Sequence, residues 1–189
     1  MRYHRDDVVT RALRVLDDYG LADLTMRRLG SELGVQPSAL YHHFANKQAL
    51  LAAVADEILR RGRRPRPDAW DTQVVAICTE LRDAMLAYRD GAEVVATVRA
   101  FGLGARQPYD DLVAALRAGG LDAGLSAVAA RTLLHFVLGH VSDEQTQLQA
   151  ASAGAIPADP AGSTDFGLGL TLVMDGIRAR IPGVDRLNG

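Results

Sequence analysis

The sequence predicts an all-α protein of two unequal helical domains, residues 1–61 and 62–189, with a helix-turn-helix in the first. Three observations predict this. Apolar residues recur at spacings of three and four along the long segments, and the second half shows none of the apolar–polar alternation of a half-buried strand. Gly20, Gly34, the two prolines of GRRPRP and the Gly- and Pro-containing stretch 152–164 break the chain between these periodic stretches. A chain of 189 residues with 48% hydrophobic content can bury a core.

The first helix is expected over residues 6–19, where Val8, Val9, Ala12, Leu13, Leu16 and Tyr19 share a face before Gly20 closes the segment. The second follows Thr25 as N-cap, with Leu29 and Leu33 inward and Gly34 as the left-handed residue that turns the chain. Within residues 34–47 a short helix begins near Pro37, whose missing N–H costs nothing in a first turn. Val35 and Leu40 face inward there, which leaves Gln36, Pro37, Ser38, Tyr41, His42 and His43 as an uncovered polar and aromatic face. Asn46 caps a longer helix over 47–61, with Leu50, Leu51, Val54, Ile58 and Leu59 on its buried side. The prolines of GRRPRP end it. Further helices are expected over 70–89, 91–99, 108–118, 125–151 and 166–181, with a Gly-, Pro-, Ala- and Ser-rich loop over 152–164.

Two short helices joined through a glycine present the second to the major groove of DNA. Thr25, Met26, Arg27, Leu29, Gly34, Val35, Leu40, Tyr41, Phe44, Lys47 and Leu50 resemble the N-terminal signature of the TetR family of transcriptional regulators, as one continuous pattern over roughly residues 5–61. The resemblance implies base-edge contacts from Gln36, Ser38 and His42. Thr25, Arg27, Tyr41, His43 and Lys47 would chiefly position the phosphate backbone. Pro37 either touches a thymine methyl or only starts the helix.

Charge agrees with that division. Through Pro67 the chain has 12 Arg and Lys against 8 Asp and Glu; the remainder has 9 against 15, for a net charge of -2. The basic part coincides with the expected reading head, as a footprint on phosphate requires, although an ordinary solvated surface produces such an imbalance too. The run Arg61, Arg63, Arg64 and Arg66 has the same two readings, phosphate contact or solvated charge. Cys78 is the only cysteine, which excludes an intramolecular disulfide and a four-cysteine zinc site and fits a reducing cytoplasm. No stretch approaches the roughly 18 uninterrupted apolar residues of a membrane span, and the N-terminus has no signal-peptide core.

Catalytic and metal patterns are thin. His135 and His140 are five apart and diverge by about 140° on a helix, so they do not form a paired metal site. His140 and Glu144 share a face beside Asp143, an arrangement that either anchors a polar ligand or metal or is a helix-surface pair. No G-x-S-x-G elbow or phosphate-cradling loop is present, and Gly102 to Gly104 lacks a dinucleotide context. No enzyme, cofactor or resident metal is expected.

The segments AYRDGAEV (87–94) and LLHFVLGHVSDEQ (133–145) are similar to parts of the tetracycline repressors' ligand-binding and dimerisation domain, with coverage, interrupted by gaps, from about Leu81 to Gln149. That resemblance implies a cavity among these helices and a dimer contact. Where those repressors place the histidine that binds drug-chelated magnesium, this chain has Val95; where they place a nearby threonine, Val98. Their drug-contacting asparagine and phenylalanine are replaced by Ile77 and Leu81, while Asp143 keeps a carboxylate in place of glutamate. A chelated tetracycline is therefore not the expected effector. The expected cavity is more apolar, lined by Ile77, Leu81, Val95, Val98, Phe101 and Phe136, with Arg99, His135, His140 and Asp143 as orienting polar groups, unless the aliphatics simply pack the core. Leu133, Val137, Leu168, Leu172 and Met174, with Phe136, are candidates for a four-helix dimer contact that Gly167 and Gly169 would let close, or for the core of a monomer.

The expected function is a cytoplasmic, homodimeric transcriptional regulator, a repressor released from double-stranded operator DNA by a small molecule. The alternative is a DNA-binding protein that is architectural or partner-controlled and has no effector.

Overall fold

The computed structural model describes residues 3–157 and 165–181, and among them all regular structure is helical. In chain order the helices are α1 (Arg5–Tyr19), α2 (Met26–Leu33), α3 (Pro37–Leu40), α4 (Lys47–Arg61), α5 (Trp70–Leu86), α6 (Gly91–Ala100), α7 (Gln107–Ala118), α8 (Ala123–Ser152) and α9 (Asp165–Arg178). The part of the expected 152–164 loop from residue 158 on lies outside the described residues.

Packing divides the chain into two units, one of residues 1–63 and 83–105, the other of 64–82 and 106–189. The division departs from the boundary read at residue 61, because α6 packs on α4 and is bonded to the first unit at both ends. Leu21 donates its backbone N–H to Asp90 Oδ2 at 2.7 Å, and Arg89 donates to Asp17 Oδ1 at 3.2 Å. At the far end, Ala105 donates to Asp56 Oδ1 at 2.8 Å. Asp90 (φ 55°) and Ala105 (φ 56°) are the non-glycine residues with left-handed backbone among those described. Such a conformation costs on the order of 1 kcal/mol and persists where neighbours hold it. Here the neighbours are carboxylates bonded to the chain at both ends of α6.

The first unit has its core where α1, α2 and α4 meet, with Leu13, Leu16, Leu29, Leu40, Phe44, Leu50 and Ile58 almost fully buried. Burying each leucine or isoleucine contributes about 1.5–3 kcal/mol. The sequence caps behave as expected. Thr25 accepts the Arg28 N–H at 3.1 Å, and Asn46 accepts the Ala49 N–H at 2.8 Å. Near the end of α4, Arg60 and Arg61 both bond Glu57 and hold its carboxyl down at about 2, the Arg60 hydrogen bond leading against the opposing effect of burial.

In the second unit α8 is the helix on which α7 and α9 pack. It starts at Asp122, which accepts the Leu125 N–H at 2.8 Å. By length and composition α8 could cross a membrane. Its buried residues, however, include Ser126 and Gln145 beside Ala130, Leu133, Leu134, Val137 and Val141, the profile of a central helix in a packed domain. The arginine-rich segment after α4 is anchored within this unit. Arg66 bonds Glu80 of α5 at 2.6 Å and Asp111 of α7 at 2.7 Å, and Arg64 donates its N–H to Glu80 at 2.9 Å. Of the four arginines considered for phosphate, Arg61 is bonded to Glu57 and Arg66 is engaged by two carboxylates.

Candidate nucleic-acid interface and effector site

The turn between α2 and α3 is built by two glycines with different jobs. Gly34 adopts φ 67°, ψ 31° at the C-cap, and the N–H groups of Gly34 and Val35 return to Ser31 and Gly30 carbonyls at 3.1 and 2.9 Å. Only a residue without a Cβ enters this region at no cost. Gly30 lies inside α2, and a Cβ on it would stand 2.9 Å from the Val35 carbonyl oxygen and 3.3 Å from the Pro37 nitrogen. Its bare backbone lets the start of α3 lie directly against α2.

α3 itself is one turn, and the Tyr41–His43 turn continues it, with the His43 and Phe44 N–H groups both returning to the Leu40 carbonyl at 2.9 and 3.0 Å. Leu40 and Phe44 are buried; Gln36, Ser38, Tyr41, His42 and His43 are exposed, Tyr41 at 53%. Pro37 and Lys47 are half-buried at the starts of α3 and α4, and Arg27 is exposed on α2. The Thr25 hydroxyl oxygen is occupied by the Arg28 N–H, which leaves its proton free to donate outward. Of the polar face expected over residues 36–43, five side chains are thus exposed over buried Leu40 and Phe44, while Pro37 is half-buried.

The effector candidates separate into two groups. Ile77 and Leu81 on α5 and Val95 and Val98 on α6 are buried, and Arg99 is half-buried. Phe101, in contrast, is 65% exposed just past α6, and His135 and Asp143 are exposed on α8. The difference in exposure is helical in origin: His135 is about 100° from Phe136 on α8, and Phe101 follows the last turn of α6.

Around Phe136 lies a cluster that the sequence did not announce. The Phe136 and Phe166 rings stack at 5.6 Å, with His140 against both at 5.8 and 5.2 Å. Arg82 of α5 lies 5.3 Å from the Phe166 ring centre and makes a two-pronged pair with Glu144, donating through Nε at 2.9 Å and through Nη2. Glu144 therefore answers Arg82 rather than forming a ligand pair with His140. The His140 Nε2 is buried with no hydrogen-bond partner. Among the described residues no group of three or more His, Cys, Asp or Glu stands ready for a metal ion.

The dimer candidates also separate. Leu133, Val137 and Met174 are buried inside their own unit, whereas Leu168 and Leu172 are 63% and 67% exposed. Of the two glycines expected to allow close approach, Gly169 is filled by the Phe136 ring, to which a Cβ would come within 2.8 Å, and Gly167 faces open space.

Two family models match the chain: that of the bacterial regulatory proteins of the tetR family over residues 8–54, and the tetracyclin repressor-like C-terminal domain over residues 64–161. The chain belongs to the TetR family. The tetracycline repressor protein class A from transposon 1721 of Escherichia coli is 34% identical over 194 residues, covering 92% of this chain and 89% of that protein. The crystal structure of Mycobacterium smegmatis BioQ is 47% identical with a TM-score of 0.87, covering 94% of this chain and 98% of that one. A BioQ structure with its double-stranded DNA operator is 45% identical with a TM-score of 0.82, covering 94% and 99%. The family's members are regulators rather than enzymes, and the all-helical architecture with an N-terminal helix-turn-helix is theirs.

Proposed function

We propose that this TetR-family regulator acts as a cytoplasmic homodimeric repressor that two reading heads hold on a near-palindromic operator, until a small apolar molecule releases it. The observation that carries the DNA reading is the exposed face Gln36, Ser38, Tyr41, His42 and His43, set on buried Leu40 and Phe44. Gln36 pairs with an adenine edge or its equivalent; Arg27, Lys47 and the Thr25 hydroxyl hold phosphates. The BioQ structure with its operator supports the same use of the same fold.

A dimer is supported by one strip on the second unit. Val128, Thr132, His135 and Gly139 follow one another on the exposed face of α8 at spacings of four, three and four, and Leu168, Leu172 and Gly176 follow on α9 at spacings of four. Gly139, Gly167 and Gly176 are exposed and have open space where a Cβ would stand. An apolar strip with gaps for close helix approach fits a symmetric four-helix contact with a second copy. Two heads so joined reach half-sites one helical turn apart or a multiple of it.

Release is supported by α6. It carries Val95 and Val98, and its two ends are hydrogen-bonded to the head through Asp90 and Asp56. A ligand that repositions α6 acts directly on α4, provided that it binds the released form more tightly than the DNA-bound form. The test is operator release. Compounds that raise the protein's melting temperature are added to a labelled protein–operator complex, and those that stabilise the protein most are expected to weaken DNA binding in parallel. Equal operator affinity with and without such a bound compound contradicts the effector reading.

A further inference from the structure

The arginines and lysine of the head differ in whether the protein has already neutralised them. Arg11 is within 3.8 Å of Glu32, Arg28 lies between Asp23 and Glu32 at 3.9 and 3.7 Å, and Arg60 and Arg61 both hold Glu57. Among described residues 3–62, the cations without a carboxylate partner are Arg5, Arg14, Arg27 and Lys47. Arg27 and Lys47 belong to the expected phosphate contacts. Arg14 stands nine residues after Arg5 on the same helix, about 180° around it. The two therefore point to opposite sides of α1, and only one of them faces the reading segment.

That one is Arg5. Its guanidinium carbon lies 4.8 Å from the centre of the Phe44 ring, the residue that directly follows Tyr41, His42 and His43. It also borders one end of a groove of about 870 Å³, with Asn46 and Gln48 at the start of α4; farther along, the same groove is lined by Asp56, Glu57, Arg60 and Arg61. An independent observation brings the same end of the chain to the same place. Tyr3, two residues earlier, shares the wall of a recess of about 320 Å³ with Val35, Leu40, His42 and His43. The residues before and at the start of α1 are laid along the reading turn, outside the helix-turn-helix itself.

We propose that Arg5 is a phosphate contact of this DNA interface, held by Phe44 so that its charge stands at the edge of the surface that Tyr41–His43 and Lys47 present. Stacking on the ring removes much of the rotamer freedom that a long cation otherwise loses on binding, and leaves the N–H fork free for phosphate oxygens. Asp6 and Asp7, the neighbouring acids, do not compete: the former has no bond to Arg5, and the latter accepts the His4 N–H at 2.8 Å. The proposal rests on the DNA-binding reading above, and its test separates the two.

The test uses the full chain and a labelled duplex selected from a random library by the wild-type protein, with an unrelated duplex of equal length, each titrated by anisotropy across a salt series. Arg5→Gln is expected to lower the magnitude of the slope of log affinity against log salt by about one and to weaken both duplexes by the same factor, since a phosphate contact carries no sequence information. Arg5→Lys is expected to keep the slope. Arg60→Gln, which removes a cation that Glu57 already holds, is expected to leave the slope unchanged. A wild-type slope in Arg5→Gln overturns the proposal, whether or not its melting temperature falls. Loss confined to the selected duplex also overturns it, by showing a base contact. If the wild-type chain selects and binds no duplex at all, it is the DNA-binding reading that fails.

Discussion

A chain carrying Leu168→Glu and Leu172→Glu is expected to fold as a monomer and to bind its operator about 10²–10⁴-fold more weakly than the parent chain. Both leucines are among the most exposed apolar side chains described, on a face where Gly167 and Gly176 leave open space. Changing them removes nothing from the core of a single chain, so secondary structure and thermal unfolding should survive in the monomer. Joining two copies would instead bury four carboxylates without partners, each costing several kcal/mol, more than a leucine pair returns. Affinity falls because the second head then no longer binds at the high effective concentration that the first one provides. Sedimentation velocity and operator anisotropy on the same samples check this. A dimer that persists with unchanged affinity places the interface elsewhere.

Gly30→Ala is expected to have the second large effect, and its sign is informative. On helix propensity alone the change favours α2 by about 1 kcal/mol. Against this, the new Cβ meets the Val35 carbonyl oxygen at 2.9 Å, a backbone atom of the turn that leads into α3. Backbone cannot yield as the far end of a side chain does, and such overpacking costs about 1–3 kcal/mol. The clash is expected to win, giving a lower urea midpoint and DNA binding weakened beyond the loss of stability, because α3 is pushed away from α2. A more stable protein with undiminished binding would show that α2 and α3 do not approach as closely as described.

What was legible in the sequence was mostly local. Thr25, Gly34 and Asn46 announce their caps because the groups they satisfy lie within a few residues of them, and α4 begins and ends where Asn46 and GRRPRP place it. The exposed face of residues 36–43 was legible for the same reason: one turn with Leu40 inward leaves most of its other side chains outward. Gly30 gave a weaker signal, a glycine in a helix where alanine would propagate better, and its purpose depends on a backbone contact across the turn.

Longer-range features were not legible. Asp56 and Asp90 look like surface acids in the sequence, yet each holds a backbone N–H, 49 and 69 residues away respectively. Arg82 and Glu144 find each other across 62 residues. Periodicity marks an apolar face without saying what covers it, which is why Leu133, Val137 and Met174 read like Leu168 and Leu172 although the first three are filled by their own chain. On a helix such as α8, apolar on several sides, the 100° step between neighbours decides between core and surface, as His135 and Phe136 illustrate.

The central claim is that the face from Gln36 to His43 reads DNA in a two-headed protein. The most direct test is an anisotropy titration of the purified chain on the duplex that lies upstream of its own gene, carried through a salt series with an unrelated duplex as competitor. The account predicts specific, salt-dependent binding that saturates at two chains per near-palindromic site and that is lost in Gln36→Ala with Tyr41→Ala. Tight binding to both duplexes alike, or full binding by the doubly substituted chain, would contradict it.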